Sequence, residues 1–270
     1  MYRFNLRGLS LLFLMFFSFK LSAFDSPLTS QDYRWIGERI YQNETGGKRE
    51  NLTFWSPAEA FPSFGLGHFI WIPEQVSVPF EPTFAEMVQF VSQTHPAPSW
   101  VQQPYAPWAN KAEFDQAWSS PDMADLRDWL EDTKAEQTQF IVQRFQQRLT
   151  QLLAAQPPKQ RTELEAKIGL IMPSAQGQYA LIDYVNFKGL GDNPRERYQG
   201  EGWGLLQVLQ AMPPVTKGAE EQNMHWALTA FSEAAEKVLA RRIALSPPAQ
   251  NEQRWMPGWS VRVQSYRGEL

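Results

Sequence analysis

Apolar residues recur every three or four positions along most of the chain, the pattern of amphipathic helices that pack on a core. The first such segment is residues 30–44, with Ser30 as the N-cap and the glycines after Thr45 as the stop. The longest begins at Ser120-Pro121, where serine caps and proline takes the first helical position, and ends at Pro157-Pro158. Further helices are predicted at 84–93, 161–172, 176–187, 203–212 and 217–245.

Two segments lack this helical period. Residues 48–73 are rich in glycine, proline and aromatic residues, and their short apolar runs predict a small hairpin or a loop-rich lobe. Residues 95–108 carry four prolines and predict a linker or surface loop. The whole pattern predicts an α+β protein, predominantly helical, with a small β or loop lobe near the N-terminus.

The start of the chain has the three-part organisation of a secretory signal. Arg3 and Arg7 precede an apolar run over 9–19, and small residues lead to Ala23. The run is too short to span a bilayer comfortably, so we predict cleavage after Ala23 and no permanent membrane span. The mature chain, 24–270, is expected to be periplasmic or secreted.

Composition narrows the chemistry. The 270 residues include no cysteine, which excludes a disulfide scaffold, a thiolate zinc site, a cysteine nucleophile and an iron–sulfur cluster. The chain has only three histidines, which are few for a multi-histidine metal site. Its net charge of -4 argues against a general nucleic-acid binder. Aromatic residues make up 14%, with 11 tryptophans, which suits either the flat faces of sugars or a tryptophan-rich core.

One constellation carries candidate chemistry. Glu44 ends the first predicted helix beside a glycine turn, and Ser63-Phe-Gly-Leu-Gly-His68 follows, with glycines that allow close backbone approach. Aromatic residues around it predict that Glu44 is partly removed from water, as a general acid requires; these are Trp55, Phe61, Phe64 and Trp71. Glu59 is a candidate partner, since glycoside hydrolysis uses two carboxylates. The simpler interpretations are that Glu44 is a solvated surface residue and that His68 is a hydrogen-bonded structural residue.

These residues resemble the phage-type lysozymes of glycoside hydrolase family 24, which carry a helix-end Glu followed by Thr-Ile-Gly-x-Gly-His. The segment 178–191 is similar to the family's "ALVSFAFNVG" helix, which packs beneath the cleft. The segment 255–262 is similar to its terminal "GLVRRR" element. All three matches occur in the family's order and cover about 30–68, 176–191 and 254–266.

The resemblance implies a single lysozyme-like domain over 24–270 with a helical insertion at about 75–175. It implies that Glu44 is the general acid, that Glu59 or, as a remote candidate, Asp183 is the second carboxylate, and that Ser63 places water or that carboxylate. Four residues are implied to bind substrate, peptidoglycan or a related polysaccharide: His68, Trp71, Asn186 and Trp259. No metal or organic cofactor is implied. We therefore expect Glu44, Ser63 and His68 to share a concave surface close to Asn186.

Departures from the family pattern keep alternatives open. The interval between Glu44 and His68 is longer than usual, and the catalytic Asp of the family has no clean match. Hydrolysis, transglycosylation and other polysaccharides such as chitin therefore all remain open. Residues 202–207 resemble the "GLMQ" of lytic transglycosylases, but Glu44 lies too far upstream, so they predict a helix start. The alternatives are a catalytically inactive lysozyme-like protein that binds wall glycan or a protein partner, and a helical interaction protein using 121–155.

Overall fold

The computed structural model describes residues 28–216, 218 and 221–268, and the predicted signal segment with its cleavage point lies outside them. Ten α-helices occur in the described part of the chain: α1 Ser30–Thr45, α2 Phe84–Val91, α3 Lys111–Ala117, α4 Pro121–Asp132, α5 Lys134–Ala154, α6 Pro158–Ile171, α7 Ala175–Lys188, α8 Leu205–Ala211, α9 Met224–Leu245 and α10 Met256–Gln264. Three short strands follow α1: β1 Thr53–Phe54, β2 Ser63–Phe64 and β3 Phe69–Ile70.

The strands form one antiparallel sheet in the order β1-β2-β3. Thr53 pairs with Phe64, and Ser63 pairs with Ile70. The prediction of a predominantly helical α+β chain with a small β lobe near the N-terminus is confirmed. The lobe is small because each strand has only two residues, so it depends on the helices that pack against it for its stability.

The first helix begins at Ser30, and its N-cap lies one residue earlier than predicted. Thr29 is the N-cap, and its side chain accepts a hydrogen bond from the Asp32 backbone while Asp32 bonds back to Thr29, which makes a capping box. Gly46, at φ 64°, ends the helix in the left-handed conformation, which glycine adopts without a Cβ penalty. The end of α1 is thereby fixed, and with it the position of Glu44.

The predicted long helix from 121 is wrong as a single element, because it breaks at Thr133 into α4 and α5. Two side chains take up carbonyls of the last turn of α4: Thr133 Oγ1 donates to Trp129 at 2.7 Å, and Gln137 Nε2 donates to Leu130 at 2.6 Å. Gln137 Oε1 also accepts from the backbone N–H of Leu66 at 3.0 Å, which ties the break to the β lobe. The apolar residues keep their helical spacing through Thr133, so the sequence pattern does not indicate the break.

Two other helix boundaries differ from the prediction, and one helix was not predicted. Pro158 begins α6 rather than ending a helix, as suits proline at a first helical position. The helix predicted from 217 starts at Met224, where the Asn223 side chain accepts a hydrogen bond from Trp226. The short helix α3 is an element that the sequence pattern did not reveal.

Residues 95–108 form an irregular and mostly exposed segment, as the surface-loop prediction has it, but buried residues attach the segment to the core, so it is not a linker. Val101 and Trp108 are buried, and the Ala106 N–H donates to the Ile72 carbonyl at 2.9 Å. The helices between 75 and 175 share one hydrophobic core with α1, α7 and α9. Among the described residues, no helix is both long and apolar enough to cross a membrane.

Candidate functional site

Glu44 lies at the end of α1 with its side chain 12% exposed, and both of its oxygens face basic groups. Oε1 accepts from Arg262 Nη2 at 2.5 Å, and Oε2 lies 3.6 Å from His68 Nε2. Glu44 is therefore partly removed from water, as predicted, and of the aromatic residues expected around it Phe64 and Trp71 are buried in the core. The carboxylate sits in an ionic network that joins distant parts of the chain.

Asp183 on α7 is the buried centre of that network. It is fully buried and accepts from Arg262 Nε and Nη2, each at 2.8 Å, from Tyr266 OH at 2.6 Å and from Asn43 Nδ2 at 3.1 Å. Its oxygens are saturated by these donors. Asp183 therefore has no oxygen free to face a sugar, which contradicts its role as a remote candidate for the second carboxylate.

The network shifts the pKa values of two of its members, Arg262 and Tyr266. Burial disfavours the charge on Arg262, but hydrogen bonding and attraction to Asp183, with Glu44 adding to it, place the pKa of Arg262 above its usual range. Burial raises the pKa of Tyr266 well above its ordinary value, and the neighbouring Asp183 charge adds to the shift. Tyr266 thus stays a neutral donor to Asp183.

The turn between β2 and β3 brings His68 to Glu44. Gly65 and His68 both have positive φ, at 66° and 47°, and the left-handed conformation costs a non-glycine residue about 1–2 kcal/mol. Asn186 Nδ2, on α7, donates to the Leu66 carbonyl of the same turn at 3.3 Å. The structure therefore brings Glu44 and His68 together and attaches Asn186 to the turn that carries His68. The imidazole is half exposed, so it is accessible to a ligand.

Ser63 and Glu59 are not brought to Glu44 by any contact within the described residues. Ser63 is partly exposed on β2, and its hydroxyl makes no hydrogen bond in the described part of the chain. Glu59 is exposed in the connection between β1 and β2, where its backbone carbonyl accepts from Trp55 Nε1 at 2.9 Å. The carboxylate of Glu59 faces solvent.

The two tryptophans predicted to bind substrate have different positions. Trp71 is 1% exposed and donates to the Gln103 carbonyl at 3.2 Å, so it is a core residue and the prediction is wrong. Trp259 is partly exposed on α10, one turn before Arg262. The Lys188 ammonium lies 3.6 Å from the centre of the Trp259 ring. Burial, with Arg242 nearby, lowers the pKa of Lys188 to about 7.

Sequence reasoning missed Arg262, Tyr266 and Lys188 as site residues. The segment 255–262 was matched to a family element, but nothing in one sequence indicates that its arginine reaches a helix more than two hundred positions upstream. Polar residues in the last helices were the only available signal.

A pocket of about 170 Å³ lies between the β2–β3 turn and helices α5 and α7, and its lining does not include Glu44, His68, Asp183 or Arg262. Gly67 and Asn186 contribute to its wall. In the part of the chain that the structure describes, no three histidine or acidic side chains group to hold a metal ion.

Comparison with protein-family models, with curated proteins and with solved structures found no match to this chain. The geometry of the site is therefore the basis for assigning a function.

Proposed function

We propose that this chain is an exported, lysozyme-like glycosidase that cleaves peptidoglycan, with Glu44 as the general acid. One observation carries the proposal: the three segments that resemble phage-type lysozymes each contribute a charged residue to a single network. These residues are Glu44, Asp183 and Arg262. They come from the first, middle and last parts of the chain, and their convergence is what a shared catalytic site requires.

The geometry assigns different tasks to the two oxygens of Glu44. Oε1 is held by Arg262, which fixes the orientation of the carboxyl group. Oε2 is left to carry the proton that passes to the glycosidic oxygen as the bond to the sugar C1 breaks. General acid catalysis of this kind contributes about 10²–10⁴-fold. His68 Nε2, 3.6 Å from Oε2, lies within reach of a proton relay through one water molecule.

Either Glu59 is the second catalytic carboxylate, or the reaction uses no second carboxylate. Asp183 is enclosed by Arg262, Tyr266 and Asn43, so it does not reach a sugar. Glu59 is exposed and has no described partner, and it acts only if substrate binding brings it to the cleft. Without it, the reaction is completed by a hydroxyl of the sugar itself, which leaves an anhydro product instead of a reducing end.

A binding protein without cleavage is the second candidate function. The exposed carboxylate of Glu59 favours it, because no second acid faces Glu44 within the described residues. The Arg262 contact also favours it, since the ion pair occupies one oxygen of the proposed acid.

The test compares Glu44→Gln with the matched variant Glu59→Gln on purified peptidoglycan. We expect Glu44→Gln to lose about 10²–10⁴-fold in the rate of turbidity loss while its circular dichroism spectrum is unchanged. If Glu59→Gln also loses activity, Glu59 is the second carboxylate. If Glu59→Gln keeps full activity, Glu59 has no catalytic role. Full activity in Glu44→Gln would contradict the assignment. A wild-type protein that binds peptidoglycan in a pull-down but never cleaves it would favour the binding alternative.

A further inference from the structure

A groove leads away from the candidate site. The pocket beside Gly67 and Asn186 is the first of three that adjoin one another, with volumes of about 170, 360 and 570 Å³. The first and second share Arg148 in their walls, and the second and third share Arg197. The three pockets therefore adjoin in series at Arg148 and Arg197, and this series is the groove.

The walls of the groove follow continuous pieces of chain. One wall runs from Asn186 through Asp192 to Gly202 and contributes to all three pockets. The opposite wall of the first two pockets is α5 with its C-cap, from Ile141 to Ala155, which extends about 21 Å at the helical rise per residue. Residues of α8 and α9 line the third pocket. A depression of this length suits an extended polymer better than a compact small molecule.

Unpaired cations line the groove. Arg148, Arg197 and Lys237 are exposed and make no ion pair with any described residue, although Arg197 donates to the Gly200 carbonyl at 3.1 Å. The other arginines in the walls are neutralised, Arg144 by Glu86 and Arg241 by Glu201. The one lining acid without a described partner is Asp192. The groove is thus locally positive in a chain whose formal net charge is -4.

We propose that this groove binds the acidic peptide stems of a peptidoglycan strand, with Arg148 and Arg197 each contacting a carboxylate. The identity of the polymer rests on the proposed function, whereas the demand for anionic groups rests on the unpaired arginines. Guanidinium groups pair with carboxylates through two parallel hydrogen bonds. Arginines at the two junctions between pockets suit a strand that presents carboxylates at intervals as it leaves the Glu44 site.

The test measures binding of soluble glycan strands with their peptides intact and of strands stripped of peptides by an amidase. The lactyl carboxylates that the amidase frees are then blocked as methylamides, so that the stripped strands carry no carboxylate. Glu44→Gln is the background, so that cleavage does not interfere. Adding Arg148→Ala and Arg197→Ala is expected to weaken binding of peptide-bearing strands by about three- to thirtyfold and to leave stripped strands unaffected. The difference should shrink as ionic strength rises, which the loss of a structural contact would not produce. Arg34→Ala is the matched control, an exposed arginine of α1 outside the groove, and should bind like the background.

Two results separate this inference from the proposed function. If the wild type cleaves peptidoglycan but the double variant binds both kinds of strand normally, the groove assignment is overturned and the function stands. If the wild type never cleaves but the double variant loses peptide-bearing strands selectively, the groove assignment stands and the catalytic one fails. Equal binding of intact and stripped strands by the background protein would also overturn the groove assignment.

Discussion

Replacing Asp183 by asparagine should destabilise the protein more than any surface charge change. The substitution keeps the size of the side chain but removes the charge that faces Arg262, whose side chain is 14% exposed, and Tyr266, which is fully buried. Removing one partner from a buried ion pair costs about 3–5 kcal/mol. Glu44 still faces Arg262 and asparagine keeps one acceptor oxygen, so we expect a loss of about 3 kcal/mol in the free energy of unfolding.

Thermal and urea unfolding followed by circular dichroism measure this loss. For a chain of this size each kcal/mol lowers Tm by about 2–4 °C, so Asp183→Asn should melt about 6–12 °C below the wild type. Asp115→Asn is the control: its carboxylate pairs with Lys111 at 2.7 Å on the exposed surface of α3, and the change should stay within about 0.5 kcal/mol. Equal stability of the two variants would refute the reading of Asp183 as the buried anchor of Arg262.

Two further predictions concern residues next to the network. Lys188 has a pKa of about 7 in the folded protein, below the value of about 10.4 in an unfolded chain. The unfolded state therefore binds more protons between these two values. The contribution of Lys188 to the free energy of unfolding should increase as pH rises from about 7 to 10. Lys188→Met should remove that part of the pH dependence, whose limiting slope is about 1.4 kcal/mol per pH unit. The measurement is the free energy of unfolding from urea curves at several pH values, and an equal change with pH in both proteins would contradict the prediction. His68→Gly should relieve the strain at φ 47° and leave the free energy of unfolding equal or up to about 1 kcal/mol higher. The same change should slow peptidoglycan cleavage. A loss of stability with unchanged cleavage would assign His68 a structural role.

The helices and the β lobe were predictable because their signals are local. Periodicity and capping residues place α1, α6, α7 and α9 within a few residues of their observed bounds, apart from the later start of α9 at Met224. The break at Thr133 was not predicted, because the apolar periodicity continues through it and one of its contacts, from Gln137 to Leu66, reaches across to the β lobe. A contact between positions so far apart leaves no trace in the periodicity of either segment.

The candidate site was predictable only in part, for the same reason. Glu44 and His68 stand out in the sequence as a helix-end acid and a histidine after alternating glycines, and the structure joins them. The aromatic residues near them in sequence were misleading, because Trp71 packs into the core instead of facing the acid. Arg262, which contacts Glu44 directly, comes from the far end of the chain and has no sequence feature that names its partner.

Mass spectrometry of the soluble products released from purified peptidoglycan tests the central claim most directly. The account predicts that the wild-type protein releases fragments with new sugar ends, as either reducing or anhydro residues, and that Glu44→Gln releases none above background. Reducing ends would identify hydrolysis, and anhydro ends would identify transglycosylation. Fragments with new peptide ends and intact glycan, or no fragments from the folded wild-type protein, would contradict the assignment of Glu44 as the acid of a wall glycosidase.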